Sequence, residues 1–264
     1  MATVNYVLQK IAGDLFIKYD SEERIYIAER VKNFKASLKK YFGSNVSDVV
    51  LFGSFKRDTI LPRKFDKESD IDVLIVFADT EKGYTPETYR NRLRKFAETS
   101  YFSSTVIKDH PSIVLEMSTI KFDLVPCKIE VGFWSPSYSI PDKSGSWMDT
   151  DPKGFNDKLT EANNRYSSIV KPIIRLLKRW NAYEDYPYLS FELEQIIADM
   201  NFKGDNYQTG FMYAFKNLPT YELADYQKRK VEVARKNIEW VEEYLNRENQ
   251  GKATEVVGRI LGLK

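Results

Sequence analysis

Apolar positions along the chain follow two regimes. As far as about residue 126, short apolar runs alternate with stretches of helical spacing; after Asp151-Pro152 the spacing is almost wholly helical. Residues 2–18 carry Val7, Ile11 and Leu15 at helical intervals. Asp20-Ser21-Glu22-Glu23 puts acid in the first turn of a second helix, which carries Ile25, Ala28, Val31, Phe34 and Leu38 on one face and ends near Gly43. Val49-Val50-Leu51-Phe52 and Val73-Leu74-Ile75-Val76-Phe77 are apolar runs of strand length bounded by turn residues. Thr85-Pro86-Glu87 starts a helix that runs to about Ser100. Strands are expected near 104–108, 112–117 and 120–126, the last two paired as a hairpin through Ser118-Thr119.

Residues 131–152, rich in Pro, Ser, Gly and Trp, predict an irregular connection and a domain boundary. Helices then follow over about 153–165, along Ile169, Ile173, Leu176, Leu177 and Trp180 with Pro172 opening or bending the helix, from Ser190, over about 205–217, from Tyr221 to Asn249, and around Val256–Leu261. The expected fold class is α+β. Residues 1–150 would form a mixed sheet braced by helices, residues 151–264 an all-helical lobe, with a cleft between the two.

The chain has 264 residues, enough for one large or two modest domains. Forty basic against 38 acidic residues give a net charge of +2, too little for broad duplex nucleic-acid binding and better suited to small polyphosphates in a local basic pocket. The 17 Tyr and 16 Phe suffice for a core and for base-stacking surfaces alike. The single cysteine, Cys127, excludes a disulfide within the chain and reads as a small buried hydrophobe; the single histidine, His110, precedes Pro111 at a turn and reads as structural or solvated. No apolar run reaches the length of a membrane span and no signal-peptide core opens the chain, so the expectation is a cytoplasmic protein.

The chemistry is concentrated at 49–72. Asp70 and Asp72 flank Ile71 at the start of a strand, so both carboxylates face the same way. An isolated D-x-D is more often a pair of solvated residues than a ligand set. Asp123, on the face of its strand opposite Phe122 and Leu124, changes that balance: if its strand lies beside 71–77, three carboxylates can meet. Hard oxygen ligands suit Mg²⁺, and three would hold two ions at the spacing used for in-line phosphoryl displacement. Gly53-Ser54 lets the backbone turn closely against a phosphate, and Arg57 in the basic stretch that follows could balance its charge. On the helix around Trp180, Arg175 and Arg179 suit a helix dipole.

Gly53-Ser54, Arg57, Thr59, Asp70-Ile71-Asp72 and Phe122-Asp123-Leu124-Val125-Pro126 together resemble the DNA polymerase β-like nucleotidyltransferase superfamily. The order of features is closest to the bacterial cGAS/DncV-like nucleotidyltransferases, also called CD-NTases or SMODS proteins. Residues 140–152 and 173–194 are similar to segments that follow the third aspartate in those enzymes, so the resemblance spans roughly residues 45–195. It implies that Asp70, Asp72 and Asp123 are catalytic and hold two Mg²⁺ ions (Mn²⁺ can substitute). It implies that Lys178 grips the donor triphosphate, that Ser190, read locally as the cap of the next helix, also contacts that triphosphate, and that Phe191, otherwise a core residue, stacks on the donor base. The implied activity is template-independent joining of NTPs or dNTPs into a cyclic or linear oligonucleotide signal with pyrophosphate release, in bacterial anti-phage defence, with a nucleotide-responsive effector protein as partner. Two other readings stay open: the same chemistry on another acceptor, such as a tRNA 3′ end, a small molecule or a protein hydroxyl, and a nucleotide sensor without turnover.

Overall fold

The computed structural model describes residues 2–108, 111–131, 136–142, 144–151 and 153–263; His110 lies outside them. The chain forms two compact units that it visits alternately. Residues 18–57 and 68–156 make a sheet unit; residues 1–17, 58–67 and 157–264 make a helical unit. The expected boundary near residue 150 lies close to the last change of unit, at 156/157, while two earlier segments belong with the late helices.

In the sheet unit, the described residues form seven strands: β1 (Val46–Leu51), β2 (Ile71–Phe77), β3 (Thr105–Lys108), β4 (Ile113–Glu116), β5 (Lys121–Val131), β6 (Pro136–Pro141) and β7 (Trp147–Thr150). The order is β1-β2-β5-β4-β3, with β6 beside the far half of β5 and β7 beyond it. Only the β2–β5 pairing at the centre is parallel among those described. β6 and β7 replace the irregular connection expected over 131–152. Pro136 and Pro141 bound β6, where a missing N–H costs the ladder least.

Two helices, α2 (Glu22–Phe42) and α4 (Pro86–Ser100), cover one face of the sheet. Ser21 caps α2 by accepting from the Arg24 N–H, and Thr85 caps α4 by accepting from Thr88, with Pro86 in the first turn. Phe34 of α2 stacks on Phe122 of β5 at 4.9 Å, and Phe77 of β2 meets Phe42 and Tyr89 edge-on or tilted. Alternation along β2 and β5 sends the intervening residues to the opposite face, where Leu74, Val76, Val125 and Cys127 form a second buried layer. Cys127 is fully buried, and burial pushes its thiol up to about 12 against a backbone hydrogen bond at Ser139, so it stays protonated and inert. Two arginines of α4 are drawn inward: Arg90 is buried beside Glu87, and Arg92 pairs with buried Asp79 at 2.9 Å among aromatic rings.

The helical unit contains α1 (Val4–Asp14), α5 (Gly154–Arg165, its first residues in the sheet unit), α6 (Val170–Tyr183), α7 (Ser190–Ala198), α8 (Tyr207–Asn217), α9 (Asp225–Asn246) and α10 (Gln250–Ile260). Pro172 stands in the first turn of α6, so it opens the helix and bends nothing. Val4, Leu8 and Ala12, and not the Val7 and Ile11 read from the spacing, are the fully buried face of α1, set against α6, α8 and α10, which is why the N-terminal segment joins this unit. Trp180 packs edge-on to Phe215, and Phe215 to Phe211. The helix expected from Tyr221 to Asn249 is shorter at both ends; Glu248, at φ +57°, turns the chain from α9 into α10.

The segment 58–67 reaches the helical unit because α6 holds it. Arg175 donates to the Asp58 carbonyl at 2.9 Å and the Ala12 carbonyl at 3.4 Å; Arg179 donates to the carbonyls of Phe65 at 2.7 Å and Gly262 at 3.1 Å. Lys171 lies 3.6 Å from the Asp58 carboxylate. Arg175 and Arg179, expected to suit a helix dipole, donate to backbone carbonyls of neighbouring segments, for which the planar guanidinium has the donors.

Candidate active site

The central parallel pair fixes the site. Asp72 of β2 lies directly opposite Asp123 of β5, two positions in register on strands that run the same way. Neighbouring strands are about 4.8 Å apart, so the two carboxylates start side by side on one face. That face is the one that further along buries Leu74, Val76, Val125 and Cys127. Asp70 precedes β2 by one residue and shares the parity of Asp72. Helices α2 and α4 cover the other face, which leaves the acidic end of the strands uncovered by them.

The turn after β1 approaches this pair closely. The Phe52 N–H donates to the Asp72 carbonyl at 3.1 Å, and the chain then enters α3 (Gly53–Arg57). Gly53 is buried at φ +69°, in the left-handed region. A Cβ on it would stand 1.7 Å from Asp72 Oδ2 and 2.3 Å from its Cγ. The carboxylate of Asp72 thus occupies the space that any other residue would fill. Ser54 follows at a partly exposed position.

The other carboxylates have their own neighbours. Ser112, itself buried, donates to Asp123 Oδ2 at 3.4 Å. Lys121, two residues before Asp123 and on the same face, places its ammonium 3.9 Å from Asp70 Oδ2 and 3.1 Å from Glu68 Oε2. Burial lowers the pKa of Lys121, but the Glu68 hydrogen bond and the charges of Asp70, Glu68 and Asp123 outweigh it, and the net shift is upward. As the side chains stand, no three carboxylate, imidazole or thiol groups among the described residues are gathered closely enough to hold a metal ion. The donor set nevertheless suits one: three carboxylates from two adjacent strands are hard oxygen ligands, and the Gly53 turn leaves Asp72 room.

Arg57, expected to balance phosphate charge from the basic stretch, ends α3 and is buried with its guanidinium over the Phe155 ring at 5.2 Å. The expected helix-capping role of Ser190 is not met: Ser190 is the first residue inside α7, and Leu189, extended at φ −63° and ψ 133°, is the cap without a side-chain bond. Phe191 is 48% exposed, so it is no core residue.

Lys178 is almost fully buried and donates to Glu194 Oε1 at 3.0 Å; the same oxygen accepts from Thr59 Oγ1 at 2.8 Å. Glu194 is one helical turn behind Ser190 on the same face of α7. Thr59, Lys178 and Glu194 therefore form a buried polar group in the helical unit. Breaking a buried ion pair from one side costs about 3–5 kcal/mol because a charge stays buried. Lys178→Met is expected to lose that much stability in urea titration, and adding Glu194→Leu to recover most of it. A single variant as stable as the parent would contradict the pairing.

Glu194, Ser112 and Lys121 were not among the residues singled out from the sequence. Lys121 alone had a visible signal, its i, i+2 spacing from Asp123 on an alternating strand. Nothing local marks Ser112 or Glu194, whose partners lie 11, 16 and 135 residues away.

Residues 1–163 match the family described as the Second Messenger Oligonucleotide or Dinucleotide Synthetase domain, SMODS. A probable cyclic nucleotide synthase of Bacillus cereus (strain VD146) is 30% identical over 71% of this chain and 70% of its own length. A CBASS oligonucleotide cyclase, CdnC, of Escherichia coli (strain KTE188) is 25% identical over 62% of this chain, which spans only about half of that relative, 54%. Among solved structures, the Bradyrhizobium diazoefficiens CD-NTase CdnG in complex with GTP shares the fold, with a TM-score of 0.70, 14% identity, and 98% and 97% of the two chains covered. With the family matched over more than half of its residues, this chain belongs to the SMODS family of cGAS/DncV-like nucleotidyltransferases.

Proposed function

We propose that the protein is a template-independent nucleotidyltransferase that joins nucleoside triphosphates into a cyclic or linear oligonucleotide signal, releasing pyrophosphate, in bacterial anti-phage defence. One observation carries the reading: the parallel register that sets Asp72 beside Asp123 next to the Gly53 turn. It is supported by the solved relatives, whose bound nucleotides include GTP.

Asp70, Asp72 and Asp123 would hold two divalent ions, Mg²⁺ or Mn²⁺, which when bound supply neutralisation of the triphosphate and acidification of the acceptor hydroxyl. The chain's own part is positioning. Gly53 lets the backbone come close to the phosphates, and the Ser54 hydroxyl is a donor to them. Ser112 fixes one oxygen of Asp123 and so the direction of the other. Arg57, held over Phe155, adds fixed positive charge to the same unit. In the helical unit, Ser190 and Phe191 are the accessible nucleotide-binding residues. Phe191 offers a ring face that any base can stack on, and Lys178, fixed by Glu194, places a charge one turn behind Ser190. A nucleotide-responsive effector protein is the partner such a product would need.

Incubation with labelled NTPs or dNTPs and Mg²⁺, without any added acceptor, tests this, with products identified by mass spectrometry. Self-sufficient formation of an oligonucleotide with stoichiometric pyrophosphate is the expected result. Bound NTP without pyrophosphate release would overturn it in favour of a sensor, and dependence on an added hydroxyl acceptor in favour of a different transferase.

A further inference from the structure

Lys121 stands where a cation would meet the acidic group. It shares a strand face with Asp123, is largely buried, and lies 3.9 Å from Asp70. Its second partner, Glu68, is mostly exposed, and holds the ammonium more closely at 3.1 Å; a further bond runs to the Glu68 carbonyl at 3.4 Å. Its hydrogen bonds run to Glu68, so toward Asp70 it acts as a charge at 3.9 Å, which repels a divalent ion approaching the same carboxylate. Glu68 gives it a place to withdraw to.

We propose that Lys121 is the resident counter-cation of the aspartate group, held between Asp70 and Glu68, and that a divalent ion must displace it from Asp70. This rests on the reading of the three aspartates as metal ligands. Lys121 is then a positioning residue that sets how much metal the site requires. Its absence makes the carboxylates a stronger ligand set and leaves them mutually repulsive when the metal is withdrawn.

The test is Mn²⁺ binding to the purified protein without nucleotide, followed by the loss of the free-ion electron paramagnetic resonance signal. Lys121→Met is expected to lower the half-saturating Mn²⁺ concentration about three- to tenfold, while Lys121→Arg, which keeps the charge, stays within about twofold of the parent. An unchanged or higher half-saturating concentration in Lys121→Met would overturn the proposal. Lys121→Gln provides the same comparison if the methionine variant fails to fold. Asp72→Asn separates the two levels of the argument. Loss of Mn²⁺ binding in Asp72→Asn with no shift in Lys121→Met rejects the counter-cation alone. Binding retained in Asp72→Asn rejects the metal reading and the proposal with it.

Discussion

Asp123→Ala and Asp72→Asn are each expected to reduce oligonucleotide synthesis at least about a thousandfold while leaving the fold intact, the scale on which catalysis by fixed charge and positioning is lost. The reason lies in the register. Asp72 and Asp123 are held on adjacent parallel strands, so removing either leaves a single carboxylate on that pair. Neither side chain belongs to the buried layers of the sheet, which are built from the residues that alternate with them and follow them. A thermal melt without metal should therefore be unchanged or a degree or two higher, because one of two adjacent like charges has gone. The difference should emerge when Mg²⁺ is added. An ion that binds only the folded state stabilises it by RT ln(1 + [L]/Kd), about 2.7 kcal/mol at a hundredfold excess over Kd. The parent should gain this increment and Asp72→Asn should not. A variant at Asp72 that kept normal turnover, or gained the same Mg²⁺-dependent stabilisation, would remove the two-metal reading and leave the fold assignment untouched.

The parts of this site that could be read along the chain are those governed by alternation. Asp70 and Asp72 share a face because Ile71 stands between them, and Asp123 opposes Phe122 and Leu124 for the same reason. What alternation cannot supply is which strands are neighbours. The step from three carboxylates to a site needed β5 beside β2, and that is a fact of topology. The hairpin of β6 and β7 was hidden for a local reason: its prolines, serines and glycine signal turns, while its pairing with β5 depends on a strand that continues past Cys127. The weave between units was hidden for another. The amphipathic stripe of α1 says that one face is buried but not against what, and the cations of α6 find backbone carbonyls, which carry no sequence signal. Lys178 illustrates the cost. The resemblance implies an amine on the donor triphosphate, and no local pattern announces that this amine donates to Glu194, buried with Thr59 from a distant segment.

Gly53→Ala carries the second large effect, and it acts through Asp72. Two penalties coincide at this position. The backbone at φ +69° disfavours any L side chain, by about 1–2 kcal/mol. The added Cβ would also sit 1.7 Å from Asp72 Oδ2, so the carboxylate has to turn away or the β1–α3 turn has to shift. The backbone penalty alone corresponds to a fall in melting temperature of about 2–8 °C for a chain of this size, and the clash adds to it. Activity should fall far more, by about a hundredfold or beyond, because displacement of a reacting group's ligand by an ångström costs that much. The two penalties can be separated. Combining Gly53→Ala with Asp72→Ala removes the two carboxylate contacts but leaves the Cβ of residue 72 at 2.8 Å and the backbone strain, so the glycine substitution should cost less stability in the Asp72→Ala background than in the parent. Equal costs in both backgrounds would mean that the turn and the aspartate are independent. The glycine would then serve only the path of the chain.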